Sequence, residues 1–276
     1  MPKRILSTVV LWLALLAVLW AFRTTGAVAL IAAVSVLTLR ELYRLMAAAG
    51  SAPFAGMGLL FGGLITVAPW TEAVFRLPSH PLLALATLVF SIRVLSERPP
   101  EKRMEALSST LFGLVYVSLL LQYLVRIVTP VAGDAILPQA RLILCLWVVA
   151  VAKFCDVGAL LTGMAIGRHQ MAPMTSPKKT WEGAAGGVVA GVAVGALVAW
   201  LGRSWLPAPM GPLRAAVLAA PVAAVAIVSD LVESALKRRA AFKDSGGGVP
   251  GIGGIFDLSD SLILAAPVAY FLLGLP

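Results

Sequence analysis

Residues 142–165 read LILCLWVVAVAKFCDVGALLTGMA, a stretch whose only charges are Lys153 and Asp156. A run this long and apolar exceeds the ~20 residues that an α-helix needs to cross hydrocarbon. Charge inside such a segment is costly and faces a cavity or a partner. Lys153 and Asp156 are three apart and share a helical face. They read either as a self-neutralising structural pair or, with Asp156 turned to a polar site, as part of one. The same stretch holds both cysteines, Cys145 and Cys155. On a helix they stand about 15 Å apart along the axis, too far for a disulfide, and their spacing fits no zinc signature. They are expected to be small buried apolar residues.

Outward from this stretch, apolar runs recur to both ends. Candidate spans are 5–22, 27–39, 54–70, 81–95, 107–125, 142–165, 184–202, 214–236 and 257–275. The expectation is an all-α polytopic membrane protein with about nine transmembrane helices. Segments 27–39 and 81–95 are the shortest and fit only with help from their flanks or a tilt. Composition agrees: 60% of residues are apolar and 13% charged, against roughly 25% charged in a soluble domain. The first run follows Lys3 and Arg4 and exceeds the 7–15 residues usual in a signal peptide, so it is read as an uncleaved first helix. The chain divides into chemically quiet N-terminal helices, 1–140, and C-terminal helices, 141–276, that carry the candidate chemistry within one continuous membrane domain.

The formal charge of +9 sits in short loops, which points to topology and anionic lipid headgroups, not to nucleic acid. With nine spans, fifteen of the 22 Lys and Arg residues fall on one side and six on the other. Basic loops stay inside, so the N-terminus is expected in the cytoplasm. The polar loops around 166–183 and 237–256 then share the cytoplasmic face, where a cytosolic nucleotide would be met. In the first half, Glu41, Arg44 and the charges from Arg98 to Arg103 are read as solvated or headgroup-facing.

The second half carries four polar features. The loop Ser176-Pro177-Lys178-Lys179-Thr180-Trp181-Glu182-Gly183 sets two lysines beside two hydroxyls. These could hold phosphate oxygens or simply form a topogenic basic loop with an aromatic anchor. In 214–236, Asp230, Glu233, Ser234 and Lys237 make one polar stripe, followed by Arg238 and Arg239. Carboxylates and a hydroxyl near the membrane edge are oxygen ligands of the kind Mg²⁺ takes; an interhelical polar contact is the other reading. The run from Lys243 to Gly254, which includes Asp244, Gly251 and Gly253, has six glycines in nine residues. It suits close backbone approach and an anion nest, or a flexible hinge. Asp257 and Asp260 open the last helix, as metal ligands or as acids complementing its dipole. Carboxylates for a divalent ion and cations for phosphates on one rim are the parts of phosphoryl or nucleotidyl transfer.

These residues resemble a known signature. Asp230-Leu231-Val232-Glu233-Ser234-Ala235-Leu236-Lys237-Arg238, Lys243-Asp244-Ser245, Pro250-Gly251, Gly253-Gly254, Asp257 and Asp260-Ser261 are similar to the signature of phosphatidate cytidylyltransferases (CDP-diacylglycerol synthases). Cys155-Asp156-Val157-Gly158-Ala159 and residues 176–183 resemble two further family segments in the expected order. The resemblance spans roughly 150–270. Ile252 stands where many members carry histidine and Leu258 where many carry arginine, while the acidic residues and lysines remain.

The resemblance implies transfer of a cytidylyl group from CTP to phosphatidate with Mg²⁺, giving CDP-diacylglycerol and pyrophosphate. It implies metal ligation by Asp230 and Asp257, with Asp260 and Asp156 in support and a second metal ion left open. Lys237, Arg238 and Lys243 would neutralise the triphosphate, with Asp244 and Ser234 beside them in the catalytic set. Lys178, Lys179, Thr180, Ser176, Gly251, Gly253 and Gly254 would bind substrate. It extends to a homodimer in the cell membrane. Three rivals stand beside it: the same chemistry on an ether-lipid or polyprenyl phosphate, a transporter, and a non-catalytic homologue. The transporter predicts inverted repeats, and none is visible.

Overall fold

The computed structural model describes residues 2–78, 81–131, 133, 136–240 and 253–275, with side chains for Val10 and from Trp12 onward. The expected membrane architecture is present: long apolar helices dominate, and seven of them among the described residues are long and apolar enough to cross a membrane. The expected count of about nine is not reached, for two reasons. Segments 5–22 and 27–39 lie in one continuous element, α1 (Pro2–Ala48), in which two helical stretches meet at a kink at Arg23, with a non-helical φ of 48° and ψ of −131°, and together they give a single candidate span. Segment 81–95 lies in α3 (Pro81–Glu97), which at 17 residues is shorter than each of those seven.

The chain forms two compact units, one reaching to Arg126 and including Leu236–Ser259, the other made of Ile127–Ala235 and the residues from Asp260 onward. In the first unit, α1 packs with α2 (Ala55–Phe75) and α4 (Arg103–Gly113), α3 packs against α2 and α4, and α5 (Leu120–Val128) follows in the chain. A π-helical segment, Leu114–Leu119, joins α4 to α5; such segments widen a turn and mark sites of local adjustment. Tyr43, fully buried, organises this core. Its hydroxyl donates to the Thr110 carbonyl at 2.8 Å. A Cβ on Gly58 or Gly113 would come within 2.6 Å and 2.4 Å of its ring, so only glycine lets both helices close on it. A buried hydroxyl pair, Ser35–Thr66 at 2.7 Å, links α1 to α2, a common form of polar contact between membrane helices. Arg98 and Arg103, read as solvated or headgroup-facing, are partly exposed and also bind backbone: Arg98 donates to the Ala52 carbonyl and Arg103 to the Leu95 and Arg98 carbonyls.

The second unit is built on α6 (Pro138–Ile166), a hairpin of β1 (Gln170–Ala172) and β2 (Ser176–Thr180), and α7 (Trp181–Leu201). It also contains most of α8 (Pro212–Arg239) and of α9 (Ile255–Leu273). Gly183, Gly187, Gly191 and Gly195 are buried along one face of α7. Their i, i+4 spacing makes a stripe on which another helix can lie close. A Cβ at Gly187 would stand 2.8 Å from the Cys155 carbonyl, and one at Gly195 2.8 Å from Ala219. Trp147 of α6 donates to the Gly195 carbonyl at 3.1 Å. Cys145 and Cys155 are free and buried, as expected.

Candidate active site

In the second unit, α8 presents Asp230 and Glu233 one turn apart, and α9 presents Asp260. One oxygen from each lies within 4.8 Å of the others. Glu233 and Asp260 are buried at 1% and 8% exposure, and buried carboxylates need counter-charge or hydrogen bonds. For Asp260, Lys153 of α6 and the Ser261 amide of α9 supply them. Lys153 of α6 reaches Asp156 and Asp260, each at 3.3 Å, and Ser261 at 2.7 Å. Ser261 in turn donates to Asp156 at 2.9 Å. Ser229 of α8 donates to the Asp260 carbonyl and accepts from the Leu264 amide at 3.2 Å, which ties α8 to α9 beside the carboxylates. The Lys153–Asp156 pair is therefore one edge of a network, not a closed pair.

The hairpin adds the next cation. It is antiparallel, with Gln170 opposite Thr180 and Ala172 opposite Ser176. Side chains alternate along a strand, so the adjacent lysines diverge. Lys179 is half-buried and pairs with Asp230 at 2.6 Å, while Lys178 is exposed. The hairpin is anchored to α7 from both ends. The Thr180 side chain caps the helix by accepting from the Gly183 amide at 3.1 Å. Glu182 accepts from the Arg168 and His169 amides at 3.1 and 3.2 Å and pairs with the His169 ring. Of the residues expected to bind phosphate, Thr180 thus has its hydroxyl engaged in the cap, and Ser176 sits on β2 four residues before it.

In the first unit, Asp257 lies in the opening turn of α9. One oxygen accepts from the Lys237 ammonium at 2.7 Å and the other from the Gly254 amide at 2.7 Å. Gly253 has φ of 124° and a Cβ there would meet the Asp257 carboxylate at 2.3 Å, so this turn admits glycine alone. Ser234 is partly buried on α8 and Arg238 is exposed near its end. Lys243, Asp244 and Gly251, with Ile252, lie outside the described residues.

The expected metal set and the observed grouping overlap without coinciding. Asp230 and Asp260 are brought together and Asp156 is joined through Lys153 and Ser261, while Asp257 belongs to the Lys237 contact. Glu233 joins the carboxylate group instead. Its place in the i, i+3 stripe with Asp230 was the signal for it. Lys153 is more connected than its spacing to Asp156 implied, because two of its three partners are on α9. Glu41 corrects the sequence reading outright: it is buried, and its carboxylate accepts from the Ile255 and Phe256 amides at 3.0 and 2.9 Å.

Buried carboxylates whose oxygens converge, with lysines beside them, form a hard oxygen donor set suited to a divalent ion such as Mg²⁺. The profile of the cytidylyltransferase family matches residues 2–275, nearly the whole chain. The chain belongs to the cytidylyltransferase family. Among its relatives, a protein of Synechocystis sp. named phosphatidate cytidylyltransferase is 32% identical over 273 residues, 88% of this chain and 86% of that protein. A protein of the same name from Mycobacterium bovis is 30% identical over 228 residues, covering 81% of this chain and 66% of its own length. Another from Brucella suis is 44% identical over 121 residues, 44% of this chain and 43% of that protein. Family membership agrees with the resemblance read from the signature residues. It extends the likeness into the N-terminal half, where the sequence offered only apolar runs.

Proposed function

We propose that this chain is a membrane nucleotidyltransferase that transfers the cytidylyl group of CTP to phosphatidate, giving CDP-diacylglycerol and pyrophosphate. The observation that carries this reading is the convergence of Asp230, Glu233 and Asp260 in a helical membrane chain of the cytidylyltransferase family. A phosphatidate oxygen attacks the α-phosphorus of CTP. The new P–O bond forms as the bond from that phosphorus to the bridging oxygen of the β-phosphate breaks, and pyrophosphate leaves. The acceptor phosphate is already anionic near neutral pH, so no protein base is required. The barrier is largely repulsion between two anions, which fixed positive charge lowers.

Asp230, Glu233 and Asp260 hold Mg²⁺, with Asp156 held beside them through Lys153 and Ser261. The ion supplies charge neutralisation and orientation for the triphosphate. Lys178 and Lys179 face the lipid phosphate or CTP. Lys237, Arg238 and Lys243, with Ser234 and Asp244, serve the nucleotide phosphates, and Gly251, Gly253 and Gly254 belong to the substrate-binding set. Asp257 keeps Lys237 in place and is the candidate for a second ion. The homodimer implied by the resemblance remains part of this reading.

The site faces the cytoplasm in this proposal. Both segments by which the span count falls below nine precede residue 100. The parity of later crossings is unchanged, and so is the side assigned to 166–183 and 237–256.

The test uses purified protein in detergent–lipid micelles with CTP, phosphatidate and Mg²⁺, following pyrophosphate and CDP-lipid together. Equal formation of both products, abolished by EDTA, is the expected result. Product with an ether-lipid or polyprenyl phosphate but not with phosphatidate would change the acceptor. Folded protein that turns over none of these would overturn the reading.

A further inference from the structure

A helix leaves its first N–H groups without intrahelical partners. The residue before the first turn normally offers a side-chain oxygen to them. α9 begins at Ile255 after Gly253 and Gly254, so the residue at that position has no side chain to offer. The adjacent Asp257 carboxylate is turned to Lys237 and to the Gly254 amide. The acceptor comes from elsewhere in the first unit. Glu41 of α1, 214 residues away, accepts from the Ile255 amide with one oxygen and from the Phe256 amide with the other.

Glu41 is 8% exposed on an apolar helix, a costly place for a carboxylate unless hydrogen bonds compensate it. One turn before it, Thr38 hydrogen-bonds Ser259 at 2.7 Å, both fully buried. Two polar contacts one turn apart on α1 therefore meet successive turns of α9 and fix both its axial register and its rotation. The residue so fixed is Asp257, directly after Phe256.

We infer that Glu41 is a positioning residue for the reaction: it holds the opening turn of α9 so that the Asp257 carboxylate stays aligned with Lys237. This rests on the reading above, in which Asp257 and Lys237 serve the nucleotide phosphates. Misplacing a reacting constellation by about 1 Å can cost on the order of 10²-fold in rate. A residue that only stabilised the fold would leave the turnover of the folded fraction intact.

Glu41→Ala and Glu41→Gln in the full-length protein separate these roles. Amide exchange is read on peptides covering 253–260, alongside kcat, KM for CTP and the melting temperature. For Glu41→Ala, exchange at Ile255 and Phe256 rises and kcat per folded molecule falls at least ~10-fold, with KM for CTP within about twofold. Glu41→Gln keeps one acceptor oxygen, so it falls between wild type and Glu41→Ala. Unchanged local exchange in both variants overturns the inference. So does a kcat loss that tracks only the loss of folded protein. A wild-type protein that makes no CDP-lipid sinks the cytidylyltransferase reading instead, and the exchange measurement still decides whether Glu41 holds α9.

Discussion

Helices α7 and α9 are both apolar spans, of 21 and 19 residues, and both carry an acidic residue in the first turn, yet they begin in opposite ways. The chain just before α7 caps it: Thr180 satisfies the Gly183 amide, and Glu182 closes on the Arg168 and His169 amides. Glycines precede α9, and Glu41 caps it from α1. The first arrangement makes a self-contained junction that presents Lys179. The second makes the placement of Asp257 depend on a helix from the far end of the sequence. Where a turn must admit a ligand or a closely packed carboxylate, glycine displaces the residue that would otherwise cap the helix, and the cap moves to another element.

The largest expected effect lies on the α9 side. Asp257→Asn keeps an oxygen for the Gly254 amide but loses the charge that pairs with Lys237. Turnover is expected to fall on the order of 10²–10³-fold with the protein still folded, measured as pyrophosphate release together with a melting curve. Glu182→Gln, in the equivalent turn of α7, is expected to change turnover far less. Equal losses at the two positions would break the contrast between a junction that presents a site and one that forms part of it.

A second effect sharpens the comparison through packing. Gly187 lies on the buried stripe of α7, with the Cys155 carbonyl 2.8 Å and the Cys155 sulfur 3.1 Å from where a Cβ would stand. Gly187→Val overpacks the α6–α7 contact, at a cost of roughly 1–3 kcal/mol. A lowered melting temperature with an unchanged KM for CTP is the expected outcome. A raised KM at full stability would instead place this stripe in the site.

What the sequence made legible follows the range of the interactions. Hydropathy found the apolar runs, because each is a local property of about 20 residues. It could not see that the two helical stretches of α1 meet directly at a kink at Arg23 with no loop between them, since both arrangements show the same pair of apolar runs around a charge. The i, i+3 stripe of Asp230 and Glu233 was visible on α8, and the pairing of Lys153 with Asp156 on α6. The α9 partners of Lys153 were not, because Asp260 and Ser261 lie more than 100 positions away. Glu41 was the hardest: a lone carboxylate near the end of an apolar run looks the same whether it faces headgroups or caps a helix. The convergence of Glu233 with Asp230 and Asp260 also depends on how α8 and α9 meet within the second unit, which no spacing rule encodes.

The smallest effect tests the locality of the α7 cap itself. Thr180→Ala removes the oxygen that accepts from the Gly183 amide, and loss of such a cap costs about 1 kcal/mol. Thr180→Ser keeps the oxygen and should recover most of that stability. Because the cap is local, the loss should appear as faster amide exchange in the first turn of α7 and in the 170–180 hairpin, and leave α9 unaffected. Glu41→Ala should do the reverse. If Thr180→Ala also loosened Ile255 and Phe256, the two junctions would be coupled, and the self-contained character assigned to α7 would be wrong.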